Sequence, residues 1–348
     1  MAQTLIPYRT LFQRLSSGLL IGCTVLLGVG LLLLILGLSP RAVGQALFTG
    51  SFGSWLKFSY VLSIWIPLLL ASSGLLFTFR AGLWNIGIEG QVILGAIAAT
   101  LLLRMDLKLP PVVVVTLGLL AGCLGGGLWG WLAGLLKTRG GVNEIFGGLG
   151  FNFVAQGLIL WLILGPWKRS GIASMSGTDL LPRALWLSAP RGWQVVPAGL
   201  IIAVIVFLLS WFLLNRTRFG LKLTGCGINP RAAYRFNIHA DLAGLGSMAI
   251  CGALAGLAGG LQVLCVYHRL LPSISSGYGY LALLVVMLAN YRVAPVVWIA
   301  LLFAGLAAGS IQLPIVLQID SSLSGVIQGS CVISGLLIHG LRQQRRRR

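Results

Sequence analysis

The sequence predicts an all-α polytopic membrane protein of about ten transmembrane helices, with both termini cytoplasmic and one short helix outside the bilayer. Three observations carry that expectation. First, 57% of the 348 residues are hydrophobic and 9% are charged, with a mean hydropathy of +0.95, which no soluble globule matches. Second, apolar runs of spanning length recur along the chain, at roughly 18–38, 59–79, 85–103, 111–136, 143–165, 194–214, 242–266, 278–290, 294–312 and 322–341. Third, the charges cluster at the ends of those runs. The formal net charge of +19 might otherwise point to nucleic acid, but its distribution excludes that class.

The first run follows Arg9 and Arg14 and is long enough to span, so it reads as an uncleaved helix after a cytoplasmic segment over 1–17. One transmembrane domain then covers 18–341, and a basic tail over 342–348 closes the chain. Sixteen of the 25 Lys and Arg residues fall inside on this assignment, and the bias sets both termini in the cytoplasm. The run at 278–290 is short and reads as broken or re-entrant.

Glycines recur every four residues in the fourth span, at Gly118, Gly122, Gly126, Gly130 and Gly134. Each step of four turns about 40° past a full circle, so they form a slanting ridge along which another helix can approach closely. Gly252, Gly256 and Gly260 repeat the device in the seventh span, and Gly305 with Gly309 in the ninth. These glycines concern packing, not chemistry.

Polar side chains within the spans are more informative, because each needs a partner or an aqueous path. The stretch 80–91, RAGLWNIGIEGQ, interrupts the apolar pattern. If helical from Asn85, it places Asn85 and Glu89 on one face at i, i+4. Glu89 then has two readings: a cap or ion partner of Arg80, or a lining group of a translocation path. Glu144, Asn152 and Gln156 make a polar stripe on the fifth span at four-residue spacing through Gly148. Gln262 and Gln328 read as single interhelical hydrogen bonds.

The longest polar interval on the inner side is 215–241, with Arg216, Arg218, Lys222, Arg231 and Arg235 against Asp241 alone. Within it Asn229 offers an N-cap oxygen, and Pro230 suits the first helical position. A two-turn helix over 230–236 follows, with Asn237 able to take the left-handed conformation that ends it. Such a helix is marginal alone and needs a partner. It is either a solvated basic loop beside anionic headgroups or a docking element for a soluble subunit. The longest outer connection, 166–193, carries Lys168, Arg169, Arg183 and Arg191 with Asp179. It is either a solvated loop or a docking surface for an acidic partner.

Catalysis has no support in the pattern. The six cysteines show no CxxC or Cys/His spacing, the three histidines lie far apart, and no metal set forms. No GxSxG, HExxH or Walker A phosphate loop occurs, so ATP-driven work must come from another subunit.

Three stretches resemble one family in family order: FRAGLWNIGIEGQVILGAIAA (79–99), GVNEIFGGLGFNFVAQGLILWLILGPW (141–167) and TGCGINPRAAYRFNIHAD (224–241). They resemble the membrane permeases of bacterial ABC importers for nucleosides, simple sugars and branched-chain amino acids, and RAGLWNIGIEGQ is similar to the nucleoside-type branch. The likeness covers about 55–340. It departs at Gly147-Gly148-Leu149-Gly150, where bulkier residues are usual, at Asn237, where glycine is usual, and in the loosely matching eighth span.

The resemblance implies a permease in the bacterial inner membrane that pairs with a second permease, the same or homologous. It implies two cytoplasmic ATPases, which hold ATP and Mg while this chain binds no cofactor, and an extracytoplasmic binding protein. Gly227, Asn229, Pro230, Arg231, Ala232, Ala233, Tyr234, Arg235 and Phe236 would couple to the ATPase. Asn85, Glu89, Glu144, Asn152 and Gln156 would border the path, and Lys168, Arg169, Arg183 and Arg191 would meet the binding protein. Nucleoside is the expected cargo, with a simple sugar and then a branched-chain amino acid as rivals. An ion-coupled secondary transporter is the alternative from another class, though the sequence offers no convincing pair of unwound helices with an ion site. A membrane scaffold is a third reading.

Overall fold

The computed structural model describes residues 27–28, 30–31, 33–35, 37–169, 177–318, 320, 322–323, 325–330 and 333. The spans expected over 18–38 and 322–341 fall largely outside these residues, and the segments 1–17 and 342–348 wholly so. The α-helices bounded within the described residues are, in order, α1 Pro40–Phe52, α2 Trp55–Arg80, α3 Ile88–Leu103, α4 Pro111–Thr138, α5 Glu144–Leu164, α6 Pro197–Arg216, α7 Arg218–Ile228, α8 Pro230–Arg235, α9 Ala240–Gln262, α10 Tyr278–Leu288 and α11 Val293–Gly309. Among the described residues, five helical stretches are long and apolar enough to cross a membrane: α2, α4, α5, α6 and α9 with its π-helical extension to Tyr267. Helices α3, α10 and α11 are apolar but shorter.

The chain divides into two compact units, one of residues 55–304 and one formed by the two ends, 1–54 and 305–348. In the larger unit, α9 packs against α2, α3 and α4. Helix α2 is an inner helix, buried over 94% of its most apolar stretch, whereas α4 is an outer one at 22%. Leucines and tryptophans such as Leu120, Leu124 and Trp131 cover the exposed side of α4, as a lipid-facing surface requires.

The glycine ridge of α4 does what its spacing predicts. A Cβ at Gly126 would overlap the carbonyl of Gly252, one at Gly256 would overlap the carbonyl of Gly122, and one at Gly95 of α3 would overlap Gly256. The sequence treats the ridges of the fourth and seventh spans as separate devices, yet they are two sides of one seam with α3 added. Without side chains at the contact, three backbones approach closely enough for van der Waals packing to hold them in a lipid solvent.

The smaller unit contains α1, which the sequence reading missed because its thirteen residues are too few to span. Ser39 caps it and Pro40 opens it. Val43 and Ala46 pack with Leu33, Leu313, Leu323 and Ile327, and the Ser51 hydroxyl donates to the Gly305 carbonyl at 2.6 Å. Gly309 has no room for a Cβ against Leu47, so the Gly305/Gly309 pair serves a close helix contact here too.

Replacing Gly126 or Gly256 by valine forces α4 and α9 apart. Thermal unfolding in detergent is expected to drop by the equivalent of about 1–3 kcal/mol or more. Gly157→Ala, which faces open space, should leave the melting temperature unchanged.

Candidate functional site

Two helices of the larger unit begin inside the bundle, and their N-termini meet. Helix α3 starts at Ile88 after a non-helical turn over 81–87, in which Gly82 sits at φ +77°. Helix α10 starts at Tyr278 after the irregular stretch 268–277, with His268, Ser276 and Gly277 all at positive φ. Counting from Glu144 along α5, Asn152 lies about 12 Å and Gln156 about 18 Å into a core of about 30 Å. Asn152 bonds to the first break and Gln156 to Pro272 of the second, so both breaks reach the depth that α5 crosses. The short run expected at 278–290 is therefore a half-helix with a re-entrant lead. A pair of unwound segments is present after all; the sequence marks both as interruptions of the apolar pattern but does not show that they meet.

Neither N-terminus is capped from its own segment. No side chain of the Gly87 region caps α3. Instead the Asn152 amide oxygen of α5 accepts from the Gly90 amide at 2.8 Å, while its nitrogen donates to the Ile86 carbonyl at 2.9 Å and the Tyr280 hydroxyl at 3.2 Å. For α10 the cap is Glu89, whose two oxygens accept from the Gly277 amide at 3.1 Å and the Gly279 amide at 2.8 Å. A carboxylate is favourable there because it faces the positive end of the helix dipole. Gly279 is required by this contact, since a Cβ would strike the Glu89 carboxylate.

Asn85 is not on a helical face with Glu89, because α3 begins three residues later. It lies in the turn at 1% exposure, exchanging two hydrogen bonds with the Gln91 amide at 3.0 and 3.1 Å and donating to the Cys251 sulfur at 3.1 Å. Arg80 does not pair with Glu89 either. Its guanidinium donates to the Asn215 oxygen at 3.0 Å and the Thr224 hydroxyl at 3.3 Å, tying the end of α2 to α6 and α7. Glu144 stands apart from Asn152 and Gln156, in a 2.6 Å ion pair with Lys137. The Gln156 amide donates to the Pro272 carbonyl at 3.2 Å, one of the groups that the re-entrant stretch frees. Gly148, a departure from the resembled pattern, lies against the backbone of Gly87 and lets α5 close on the turn.

Of the polar groups that the breaks leave outward, the sequence singled out Gln156 alone. Ser273, Ser276 and Tyr280 are exposed, and Gln156 and Tyr267 are half-buried. The hydroxyls of Tyr267 and Ser276 lie 3.2 Å apart. Non-helical backbone at this depth is tolerated only where protein buries it or water reaches it. An exposed face of hydroxyls here calls for water or a polar partner to cover it. The signal available in the sequence was the SxSSGYGY pattern over 273–280, which reads as a loose helix start.

At the basic end of the bundle, α7 and α8 lie against the ends of α2 and α9. Thr217 caps α7, which the sequence reading treats as loop. Asn229 caps α8 through the Ala232 amide at 3.1 Å, with Pro230 at the first position. Helix α8 ends at Arg235, one residue before the expected Phe236, and Asn237 takes φ +58°. Ala233 is buried, while Tyr234 is 69% and Phe236 79% exposed. Arg231 and Arg235 are also exposed, Ala232 is half-buried, and Gly227 touches Gly82 backbone to backbone. At the opposite end Arg169 pairs with Asp179 at 3.6 Å and Arg183 lies 6.0 Å above the Trp186 ring, leaving Lys168 and Arg191 exposed.

A family model described as the permease component of branched-chain amino acid transport systems matches residues 57–334. The chain belongs to that family. The permease is 29% identical to a glucose ABC transporter permease protein of Haloferax volcanii, over 87% of this chain and 82% of the relative. It is 27% identical to a guanosine ABC transporter permease protein of Bacillus subtilis, over 90% and 92% of the two chains. A nucleoside ABC transporter permease protein of Lactococcus lactis is 25% identical over 80% and 79%. The permease is thus a multi-pass membrane subunit of an ABC importer, which sets aside both the ion-coupled carrier and the scaffold.

Removing the α5 side of the network isolates its contribution. Asn152→Ala leaves the buried Gly90 amide and Ile86 carbonyl unpaired, and is expected to destabilise the permease by about 1–3 kcal/mol in a detergent unfolding series. Asn143→Ala, which removes an exposed N-cap of the same helix, should cost about 1 kcal/mol.

Proposed function

We propose that this permease passes a neutral nucleoside inward, by alternating access driven by separate ATPase subunits. The observation that carries the cargo reading is the chemistry of the exposed polar face beside the breaks. Tyr267, Ser273, Ser276, Tyr280 and Gln156 supply hydroxyls, an amide and two aromatic rings without charge, while in the same stretch His268 stacks on Trp186 and Arg269 is half-buried. Glu89, the buried acid beside them, has both oxygens occupied by α10 amides. A zwitterionic amino acid would need charged partners there. A neutral solute with hydroxyls and a flat ring needs only what is present. The two nucleoside relatives support the same reading, and the glucose relative keeps a simple sugar as second choice on the same neutral face.

The drive rests on α8. An exposed Tyr234 and Phe236 with Arg231 and Arg235 around them form an apolar tip with a basic rim, held rigid by the Asn229 cap and the buried Ala233. Exposed aromatics on a capped two-turn helix fit a groove on a soluble partner. On this account the partner is a cytoplasmic ATPase holding ATP and Mg. The opposite end, with Lys168, Arg169, Arg183 and Arg191, meets an extracytoplasmic binding protein. A second permease completes the pathway in the bacterial inner membrane, with both termini cytoplasmic.

Proteoliposomes holding the whole importer, assayed with guanosine, glucose and leucine, test the cargo: guanosine uptake should exceed the other two. Leucine as the preferred cargo would overturn the reading. In the same vesicles, combining Tyr234→Ala with Phe236→Ala should cut cargo-stimulated ATP hydrolysis at least about tenfold, the scale of losing two interface anchors of ~1 kcal/mol or more each, with the melting temperature unchanged. Unaltered stimulation would rule out α8 as the docking element.

A further inference from the structure

Three of the five residues that sequence spacing nominates for the path, Asn85, Asn152 and Glu89, are buried and engaged by internal bonds. Both ends of the Asn85 amide are taken by Gln91, and the residue is 1% exposed. Asn152 is 5% exposed with three partners, and Glu89 is 7% exposed with both oxygens bonded. A side chain with no free donor or acceptor and no surface cannot recognise a passing solute. What this scaffold presents outward is Tyr280. Its hydroxyl is fixed by the Asn152 amide at 3.2 Å, its backbone follows the Glu89-capped Gly279, and its side is 43% exposed.

We infer that Tyr280 is the specificity-determining residue of the permease, its ring stacking on the flat base of a nucleoside in transit. This deepens the cargo reading above and rests on it. Stacking is the recognition available to a neutral aromatic face, and it tolerates different bases because each has a π-face. The ring needs to be held at a fixed attitude, which its backbone sets through the two α10 amides on Glu89, with the Asn152 bond a second, dispensable tether. The hydroxyl serves the scaffold, not the base. Asn152 retains the Ile86 carbonyl as acceptor when that hydroxyl is removed, so phenylalanine should keep the ring in place.

The test uses proteoliposomes containing the full importer, with radiolabelled guanosine at saturating binding protein. Tyr280→Leu should reduce guanosine uptake about tenfold, corresponding to ~1.4 kcal/mol, and Tyr280→Phe should stay within about twofold of the parent. Photolabelling with 8-azidoguanosine should mark the peptide containing residue 280 in the parent and in Tyr280→Phe, but not in Tyr280→Leu. Melting temperatures of all three separate folding from recognition. Guanosine uptake and labelling unaffected by Tyr280→Leu would overturn the inference while leaving the cargo reading intact. A Tyr280→Phe loss as deep as that of Tyr280→Leu would assign the residue to the scaffold alone. A parent importer that takes up glucose and no guanosine would overturn both.

Discussion

Two helices start in the middle of a membrane, and neither can cap itself. That constraint organises the larger unit. Each half-helix leaves orphan amide hydrogens pointing into a medium without water, where an unpaired group costs several kcal/mol. The solution is to cap each from elsewhere: Asn152 of α5 caps α3, and Glu89 of α3 caps α10. The caps are therefore also tertiary bonds. They lock α5 to α3 and α3 to α10, and they fix where the irregular turns run. A polar network that fully satisfied is rigid, and one missing member exposes buried groups on three elements at once.

The glycine seam of α3, α4 and α9 is the complementary half of the design. Lipid gives apolar side chains no reason to leave it, so close packing must supply the attraction that water supplies in a soluble core. Gly95, Gly126, Gly252 and Gly256 bring three backbones into contact on one side of α3, while the Asn and Glu caps hold its start on the other. Helix α3 is consequently fixed along its length even though it is only 16 residues long. A rigid α3 is what allows Glu89 to act as a reference point for the irregular stretch that precedes α10.

Much of this was legible before any coordinates. The glycine spacing of four announced a seam, Asn229-Pro230 announced a capped helix, and Asn237 announced its end. Each of these signals is local, carried by residues within one or two turns. The errors were of the opposite kind. The sequence put Asn85 on a helix because an i, i+4 spacing with Glu89 looks helical, but three glycines across 82–90 let the chain return into the bundle before coiling. It grouped Glu144 with Asn152 for the same reason, although Lys137, across the α4–α5 connection, claims the glutamate. It passed over Ser273, Ser276 and Tyr280 because hydroxyls in an apolar run carry no period. Which polar residues are consumed by capping and which remain free depends on partners 60 to 190 positions away, and no local pattern encodes that.

The same bookkeeping of partners shows how the basic end reaches the middle of the membrane. Tyr234 and Phe236 stand out from α8, whose cap residue Asn229 follows directly on α7. Near its end α7 meets the turn after α2 at Gly227 and Gly82, where a Cβ on Gly227 would collide with the Arg80 carbonyl and Gly82 takes a positive φ. The Arg80 guanidinium pins the same corner to Asn215 and Thr224. From Gly82 the chain runs five residues to Gly87, which lies against Gly148 of α5, and then into the residues that Asn152 caps. The steps of that route are backbone contacts between glycines and hydrogen bonds made by the Arg80, Asn152 and Glu89 side chains. On the proposed docking, this is the chain of contacts that connects α8 to the α3 N-terminus, and Glu89 continues it to α10. The six-residue helix proposed for docking is thus linked to the two capped helix starts by contacts alone, without touching either of them.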